Sequence, residues 1–196
     1  MVMSFVICGD KSVGKTTLRN KFFELPFKSQ YTDTIGVEFS IKEIIHQSGK
    51  YKGTITKAQF WDVNPQKRFI PNRQKIYEGI HVALLVYDVT IPKTLVNLTG
   101  WLHEIQEVTS NFRVVLIGNK IDLRETTPNP VSRSMGLEFA QKLKQAMIGE
   151  VYDVPFVELS AKTGQIVPSG GIRVTLLQYE TSFMLFDTYS PYETKF

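Results

Sequence analysis

The chain has 196 residues, of which 42% are hydrophobic and 21% charged, a composition that fits one compact domain with its own core. Its single cysteine excludes an internal disulfide, and its three histidines, at positions 46, 81 and 103, are too widely spaced to form a metal pair on one helix. The net charge of +4 is spread along the chain without a block of like charges, so it does not indicate a nucleic-acid partner.

Short apolar segments alternate with segments of helical period, which predicts an α/β fold with a mostly parallel sheet and helices on both faces. Six strands are expected, at residues 3–8, 37–46, 54–62, 82–88, 113–118 and 154–160. The second and third are joined by a polar turn and should form a hairpin. Helices are expected at residues 15–25, 92–108 and 132–147, and a last one at 172–186 despite its β-branched and aromatic content.

The chain is expected to form a single domain over residues 1–196, because no repeat, low-complexity segment or linker divides it. Residues 168–196 form a divergent C-terminal segment, interpreted as the last helix and a short tail. An apolar run of about 18 residues is absent, and so is a basic leader followed by an apolar stretch. We therefore expect neither a membrane span nor a signal peptide, and a cytoplasmic location.

A phosphate-binding motif lies between the first predicted strand and the first predicted helix. Residues 9–16 read Gly-Asp-Lys-Ser-Val-Gly-Lys-Thr and match G-x-x-x-x-G-K-[ST]. In this motif the backbone wraps a phosphate at a helix N-terminus, Lys15 contacts the β- and γ-phosphates, and the Thr16 hydroxyl binds Mg²⁺. The motif predicts a P-loop NTPase fold. The nucleotide-binding residues expected in it are Lys11, Ser12, Val13, Gly14, Lys15, Thr16 and Thr17.

The choice of base is indicated by residues 119–122, which read Asn-Lys-Ile-Asp directly after an apolar strand. Asp122 can accept hydrogen bonds from the N1–H and the 2-amino group of guanine, whereas adenine would leave the carboxylate unpaired. Asn119, Lys120 and Asp122 therefore favour a guanine nucleotide over the adenine nucleotide of a P-loop ATPase or nucleotide kinase. A second base-binding segment is expected where the next strand ends, unless this is an ordinary strand-end turn; its residues are Ser160, Ala161 and Lys162.

With these motifs in this order, the chain resembles a Ras-superfamily small GTPase of the Rab branch over residues 3–167. Residues 34–39 (Thr-Ile-Gly-Val-Glu-Phe) and 87–90 (Tyr-Asp-Val-Thr) are further Rab-like segments. The resemblance implies a molecular switch of vesicle trafficking that binds GTP or GDP with Mg²⁺ and hydrolyses GTP. It also implies roles for further residues: Phe27 against the guanine, Thr34 on Mg²⁺ and the γ-phosphate, Asp62 on Mg²⁺ through water, and Gln66 orienting the attacking water.

The chain departs from the family in the second switch segment. Where the family has Trp-Asp-Thr-Ala-Gly-Gln-Glu, residues 61–67 read Trp-Asp-Val-Asn-Pro-Gln-Lys. Pro65 thus replaces the glycine whose N–H contacts the γ-phosphate, and proline has no N–H. A hydrogen bond of that kind is worth about 1.5–3 kcal/mol, or about ten- to hundredfold in GTP-over-GDP preference. We expect slow hydrolysis, and the alternative is a nucleotide-bound interaction module, a pseudo-GTPase with little or no hydrolysis.

Other departures concern the γ-phosphate and the partners. Lys11 either faces solvent or adds a cation near the γ-phosphate, and both possibilities are compatible with tight binding and slow turnover. Phe39 and Trp61 match the aromatic cluster through which Rab proteins meet effectors, with Ile76 at the third position; both aromatics could equally be ordinary sheet residues. The tail has no cysteine for prenylation, so no lipid anchor is encoded unless the natural chain is longer. We expect a monomer that meets regulators and effectors through its switch regions and reaches membranes only through a partner.

Overall fold

The computed structural model describes residues 1–25, 36–45, 53–148 and 153–168. Its strands are β1 (Val2–Cys8), β2 (Val37–Ile45), β3 (Ile55–Val63), β4 (Val82–Asp88), β5 (Arg113–Asn119), β6 (Phe156–Leu159) and β7 (Ile166–Pro168). Within these residues they form a seven-stranded sheet in the order β2-β3-β1-β4-β5-β6-β7. The five central strands are parallel, whereas β2 and β7 run antiparallel to their neighbours at the two edges. The predicted α/β fold with a mostly parallel sheet is confirmed.

The helices of the described residues are α1 (Lys15–Phe22), α2 (Ile70–Tyr77), α3 (Pro92–Val96), α4 (Leu98–Gln106) and α5 (Arg133–Ala146). Short 3₁₀ turns cover Lys67–Phe69 and Ile121–Leu123. Helix α5 begins after a side-chain cap, since the Ser132 hydroxyl accepts a hydrogen bond from the Met135 N–H at 3.2 Å. No described helix is both long and apolar enough to cross a membrane.

Strand β4 shows why helices must cover both faces of the sheet. All seven of its residues are buried, as expected of a central strand in a parallel sheet. Its alternate side chains belong to two different cores: Ala83, Leu85 and Tyr87 to the first, and Val82, Leu84 and Val86 to the second. Helices α2, α4 and α5 contribute side chains to the first core, and α1 contributes Leu18 and Phe22 to the second.

The structure differs from the sequence-based elements in several places, one of which is β6, which covers Phe156–Leu159 rather than 154–160. The expected helix over 92–108 is divided into α3 and α4 at Asn97, and α1 ends at Phe22 rather than at residue 25. Helix α2 and strand β7 were not predicted; β7 has three residues, too few for a recognisable alternation. The hairpin of β2 and β3 is confirmed, with Phe39 opposite Trp61. Its turn at 46–52 and the predicted helix at 172–186 lie outside the described residues.

Candidate functional site

The loop from β1 to α1 is shaped by two glycines that lie close to other parts of the chain. Gly9 has φ +143°, and a Cβ atom there would lie 2.1 Å from the Val86 carbonyl oxygen. Gly14 has φ +100°, and a Cβ atom would lie 2.2 Å from the side-chain nitrogen of Asn119. Both positions therefore require glycine. In the same loop Ser12 also has a left-handed backbone, with φ 65°.

Lys15 folds back over this loop from the first turn of α1. Its Nζ donates to the carbonyl oxygens of Gly9 and Asp10, both at 2.7 Å, and the residue is only 6% exposed. Burial lowers the pKa of Lys15 to about 8, although the nearby Asp62 carboxylate acts in the opposite direction. A buried ammonium group at the mouth of a phosphate loop has a strong electrostatic preference for an anionic ligand.

Thr16 and Asp62 bring two oxygen ligands together beside the loop. The Thr16 hydroxyl donates to Asp62 Oδ2 at 2.5 Å, and Asp62 is fully buried on β3. Burial raises the pKa of the Asp62 carboxyl group. Its other oxygen, Oδ1, has no hydrogen-bond partner among the described residues. Hydroxyl and carboxylate oxygens are the ligands that Mg²⁺ prefers, so this pair fits a magnesium ion bound together with phosphate oxygens.

Asn119, the last residue of β5, connects three loops at the carboxyl edge of the sheet. Its Nδ2 donates to the Val13 carbonyl at 2.9 Å, and its Oδ1 accepts from the Ala161 N–H at 3.0 Å and from the Lys120 N–H at 2.8 Å. The residue is buried. The phosphate loop and the two predicted base-binding segments are thus held side by side, at the edge of an α/β sheet where ligands usually bind.

The remaining predicted base-binding residues surround Asn119. Lys120 has a left-handed backbone with φ 67°, and its Nζ lies 2.5 Å from the buried carboxylate of Asp88. Asp122 is half-buried in the 3₁₀ turn that follows. Ser160 and Ala161 are buried after β6, where the Ser160 hydroxyl accepts from the Thr163 N–H at 3.1 Å, and Lys162 is exposed.

The other predicted nucleotide-binding residues have varied positions. Lys11 and Ser12 are exposed, Thr17 is half-buried, and Val13 packs into the second core. Phe27 and Thr34 lie outside the described residues.

The predicted catalytic residue, Gln66, lies in the loop between β3 and α2. Its N–H donates to Asn64 Oδ1 at 2.8 Å, and its carbonyl oxygen accepts from Arg73 Nη1 at 3.0 Å. Arg73 was not predicted from the sequence. Its spacing of four residues from Tyr77, which places both side chains on one face of a helix, is the signal that could have indicated it. The backbone of Gln66 is therefore held on both sides by side chains of this segment.

The predicted partner-facing side chains lie on the hairpin and on α2. The Phe39 and Trp61 rings are 4.3 Å apart between centroids, as expected of a directly opposed cross-strand pair. Phe39 is 44% exposed, whereas Trp61 and Ile76 are partly buried against the first core. The Phe39 ring is therefore at the surface of the hairpin, with Trp61 beneath it.

The sheet order, the glycine-bounded loop after β1 and the Asn119 loop after β5 together define a P-loop nucleotide-binding protein. The family model that matches the chain is that of the Ras family, over residues 4–170. The chain therefore belongs to the Ras family, and the P-loop NTPase fold predicted from the sequence is confirmed.

Curated relatives agree with this assignment. The chain is 34% identical over 169 residues to the Ras-related protein Rab7 of Prunus armeniaca, covering 84% of this chain and 75% of that protein. It is 34% identical over 170 residues to the Ras-related protein SEC4 of Candida albicans, with coverage of 86% and 73%. It is also 34% identical over 168 residues to Rab7 of Drosophila melanogaster, with coverage of 83% and 73%. The chain is thus a Rab-like small GTPase, a GTP-binding switch protein of the Ras family.

Proposed function

We propose that the chain binds Mg²⁺–GTP and Mg²⁺–GDP at the carboxyl edge of the sheet and hydrolyses GTP slowly. The observation that carries this proposal is the Asn119 side chain, which joins the phosphate loop to the segment of Ala161. Because one side chain spans both loops, phosphates and base can be bound by a single preorganised site. The experiment that tests it begins with denaturing the purified protein and identifying the released nucleotide by ion-exchange chromatography.

Each part of the nucleotide has a partner of suitable chemistry in this proposal. The Lys15 ammonium and the N–H groups of the loop contact the phosphates, and Asp122 accepts hydrogen bonds from guanine. Thr16 and Asp62 would hold Mg²⁺, which supplies positive charge to the phosphate oxygens when bound. Phe27 and Thr34 are proposed to contribute a contact to the base and a further ligand on the basis of the family resemblance alone.

The geometry around Pro65 supports slow hydrolysis. Proline lacks an N–H, and the N–H of the next residue, Gln66, is already bonded to the Asn64 side chain. Two consecutive residues of this loop therefore offer the γ-phosphate no free backbone donor. Hydrolysis in this family depends on positioning and charge, and Gln66 is the residue expected to orient the attacking water. A loop that does not approach the γ-phosphate should therefore leave this water poorly placed.

The Pro65→Gly variant tests this account. It restores a backbone N–H, and we expect single-turnover hydrolysis of GTP to accelerate by about ten- to hundredfold, the equivalent of one charge-assisted hydrogen bond. Pro71→Ala is the matched control, because Pro71 is an exposed proline in the same segment, within the first turn of α2. Equal rates for Pro65→Gly and the native protein would remove Pro65 as the cause of slow turnover.

A second candidate function, a pseudo-GTPase interaction module, is favoured by the same bonded N–H of Gln66. Release of intact GTP from the denatured protein would support this module, whereas GDP would support the slow GTPase. In either case the similarity to Rab proteins supports a role in vesicle trafficking. The partners would be effectors and regulators that contact Phe39, Trp61 and Ile76, and the chain would act as a cytoplasmic monomer brought to membranes by one of them.

A further inference from the structure

Arg73 is a buried arginine whose guanidinium group links the loop between β3 and α2, residues 64–69 and hereafter the switch loop, to α4. Only 3% of the residue is exposed. Its Nε and Nη2 atoms donate to the two carboxylate oxygens of Glu104, at 2.5 and 2.7 Å. Its Nη1 donates to the carbonyl oxygens of Asn64 and Gln66, at 3.2 and 3.0 Å. The residues on either side of Pro65 are thereby fixed to α4 through one side chain.

Helix α4 holds this guanidinium group in two ways. The Glu104 carboxylate forms the bidentate pair, and it also accepts from the Tyr77 hydroxyl at 2.9 Å. The Trp101 ring lies under the guanidinium carbon, 4.8 Å from it to the ring centroid. Burial acts to lower the pKa of Arg73, but the hydrogen bonds and charge of Glu104 raise it overall, so the group stays charged. The contact thus combines a fixed geometry with a permanent charge.

The same helix face also holds the phosphate loop. The Asp10 carboxylate accepts from Asn97 Nδ2 at 2.6 Å and from Trp101 Nε1 at 3.2 Å. Asn97, Trp101 and Glu104 are spaced by four and three residues, and this spacing places them on one face of a helix. The phosphate loop and the switch loop are therefore both bonded to side chains on one face of α4 and its N-terminal residue Asn97.

We propose that Arg73 and Glu104 hold residues 64–77 in one conformation whether GDP or GTP is bound. A ligand shifts a conformational equilibrium only through contacts that differ between the two states. Here the backbone carbonyls on both sides of Pro65 are bonded to Arg73, and the loop offers the γ-phosphate no free N–H at residues 65 and 66. The position of this loop is thus set by contacts within the protein rather than by the bound nucleotide.

This inference rests on the proposed guanine-nucleotide function. It specifies that the conformation of residues 64–77 does not depend on which nucleotide is bound. A partner that recognises α2 and the loop before it would bind the GDP and GTP forms with equal affinity. The surface formed by residues 64–77 would therefore be the same in the two nucleotide states.

Hydrogen exchange of the backbone amides tests the proposal in the full chain. We expect the amides of residues 66–77 to be equally protected, within about twofold, with GDP and with a non-hydrolysable GTP analogue. In Arg73→Gln, protection of Gln66 and Phe69 should fall by about tenfold or more, because buried bonds to a charged donor are lost. Lys75→Gln is the matched control; it removes one positive charge from an exposed position of the same helix.

Intrinsic fluorescence gives a second test that leaves the Arg73 contact intact. The two tryptophans of the chain are Trp61 and Trp101, so in Trp61→Phe the emission comes from the ring that lies under Arg73. We expect the same Trp101 emission with either nucleotide. A tenfold difference in native protection of residues 66–77 between the nucleotides would overturn the proposal.

Failure of the proposed function can be recognised separately. If equilibrium titration with fluorescent GDP finds no binding, the guanine-nucleotide assignment is wrong. The hydrogen-exchange comparison of native protein and Arg73→Gln then still applies in the absence of nucleotide. Equal exchange in the two proteins would exclude Arg73 as the group that fixes the loop. If GDP binds in that case, the proposed guanine-nucleotide function is unaffected and only the inference about Arg73 fails.

Discussion

At the scale of single residues, Lys15 should determine how nucleotide binding depends on pH. Burial lowers its pKa to about 8 in the protein without ligand, and bound phosphates should raise it again by favouring the charged form. Below pH 7 the group is already protonated, so binding takes up no proton. Above pH 8 binding must protonate it, and we expect the affinity for GDP to fall by up to about tenfold per pH unit.

Titration calorimetry in two buffers with different protonation enthalpies measures this proton directly. At pH 9 the two buffers should report different binding heats, corresponding to uptake of nearly one proton, and this uptake should shrink as the pH falls through 8. Lys11→Gln provides the control, because Lys11 is the other lysine of the loop and is exposed. Loss of the uptake in Lys11→Gln would assign the proton to that residue and contradict the role given to Lys15.

At the scale of helices, two glycines should respond in opposite ways to the same substitution. Gly136 lies inside α5, where an added Cβ would be 2.3 Å from the Phe156 ring and 2.8 Å from the Tyr87 hydroxyl. Gly100 lies inside α4, and apart from its chain neighbours and the backbone of its own helix no heavy atom of the described residues is within 4 Å of such a Cβ. We expect Gly136→Ala to lower the free energy of unfolding by about 1–3 kcal/mol through overpacking. Gly100→Ala should raise it by about 0.5–1 kcal/mol through helix propensity.

Urea denaturation of the two variants beside the native protein checks this pair. Each substitution adds one methyl group to one helix, so each serves as the other's control. Stabilisation by both variants would mean that α5 can move away from β6 without cost. Destabilisation by both would mean that the surface of α4 at Gly100 is covered by another part of the chain.

At the scale of the whole molecule, the sequence predicted what depends on local pattern. The expected bounds of β4, 82–88, coincide with the observed strand because a central parallel strand is a continuous apolar run bounded by polar residues. Helix α2 lacked such a pattern, since the side chains it buries are Arg73 and Tyr77. The motifs of the phosphate and base segments could be recognised in the sequence because, like β4, each is a contiguous segment of the chain.

The contacts that join those segments could not be predicted. Arg73 and Glu104 are 31 residues apart, and neither residue type suggests burial until its partner is known. The Asn119 bonds to Val13 and Ala161 span 106 and 42 residues. Charged and polar pairs of this kind are specified by the packing of the sheet and its helices, which brings the chain segments together.

Because Asn119 connects loops that follow β1, β5 and β6, a nucleotide bound there should stabilise the whole fold rather than one loop. A ligand that binds only the folded state at one hundred times its dissociation constant adds about 2.7 kcal/mol to the free energy of unfolding. We expect GDP with Mg²⁺ to raise the denaturation midpoint accordingly, as measured by urea unfolding of protein freed of nucleotide. ADP at the same concentration is the control and should have a much smaller effect, because Asp122 can accept hydrogen bonds from guanine but not from adenine. Equal stabilisation by ADP would contradict the assignment of the base, whereas stabilisation by GDP alone would support it.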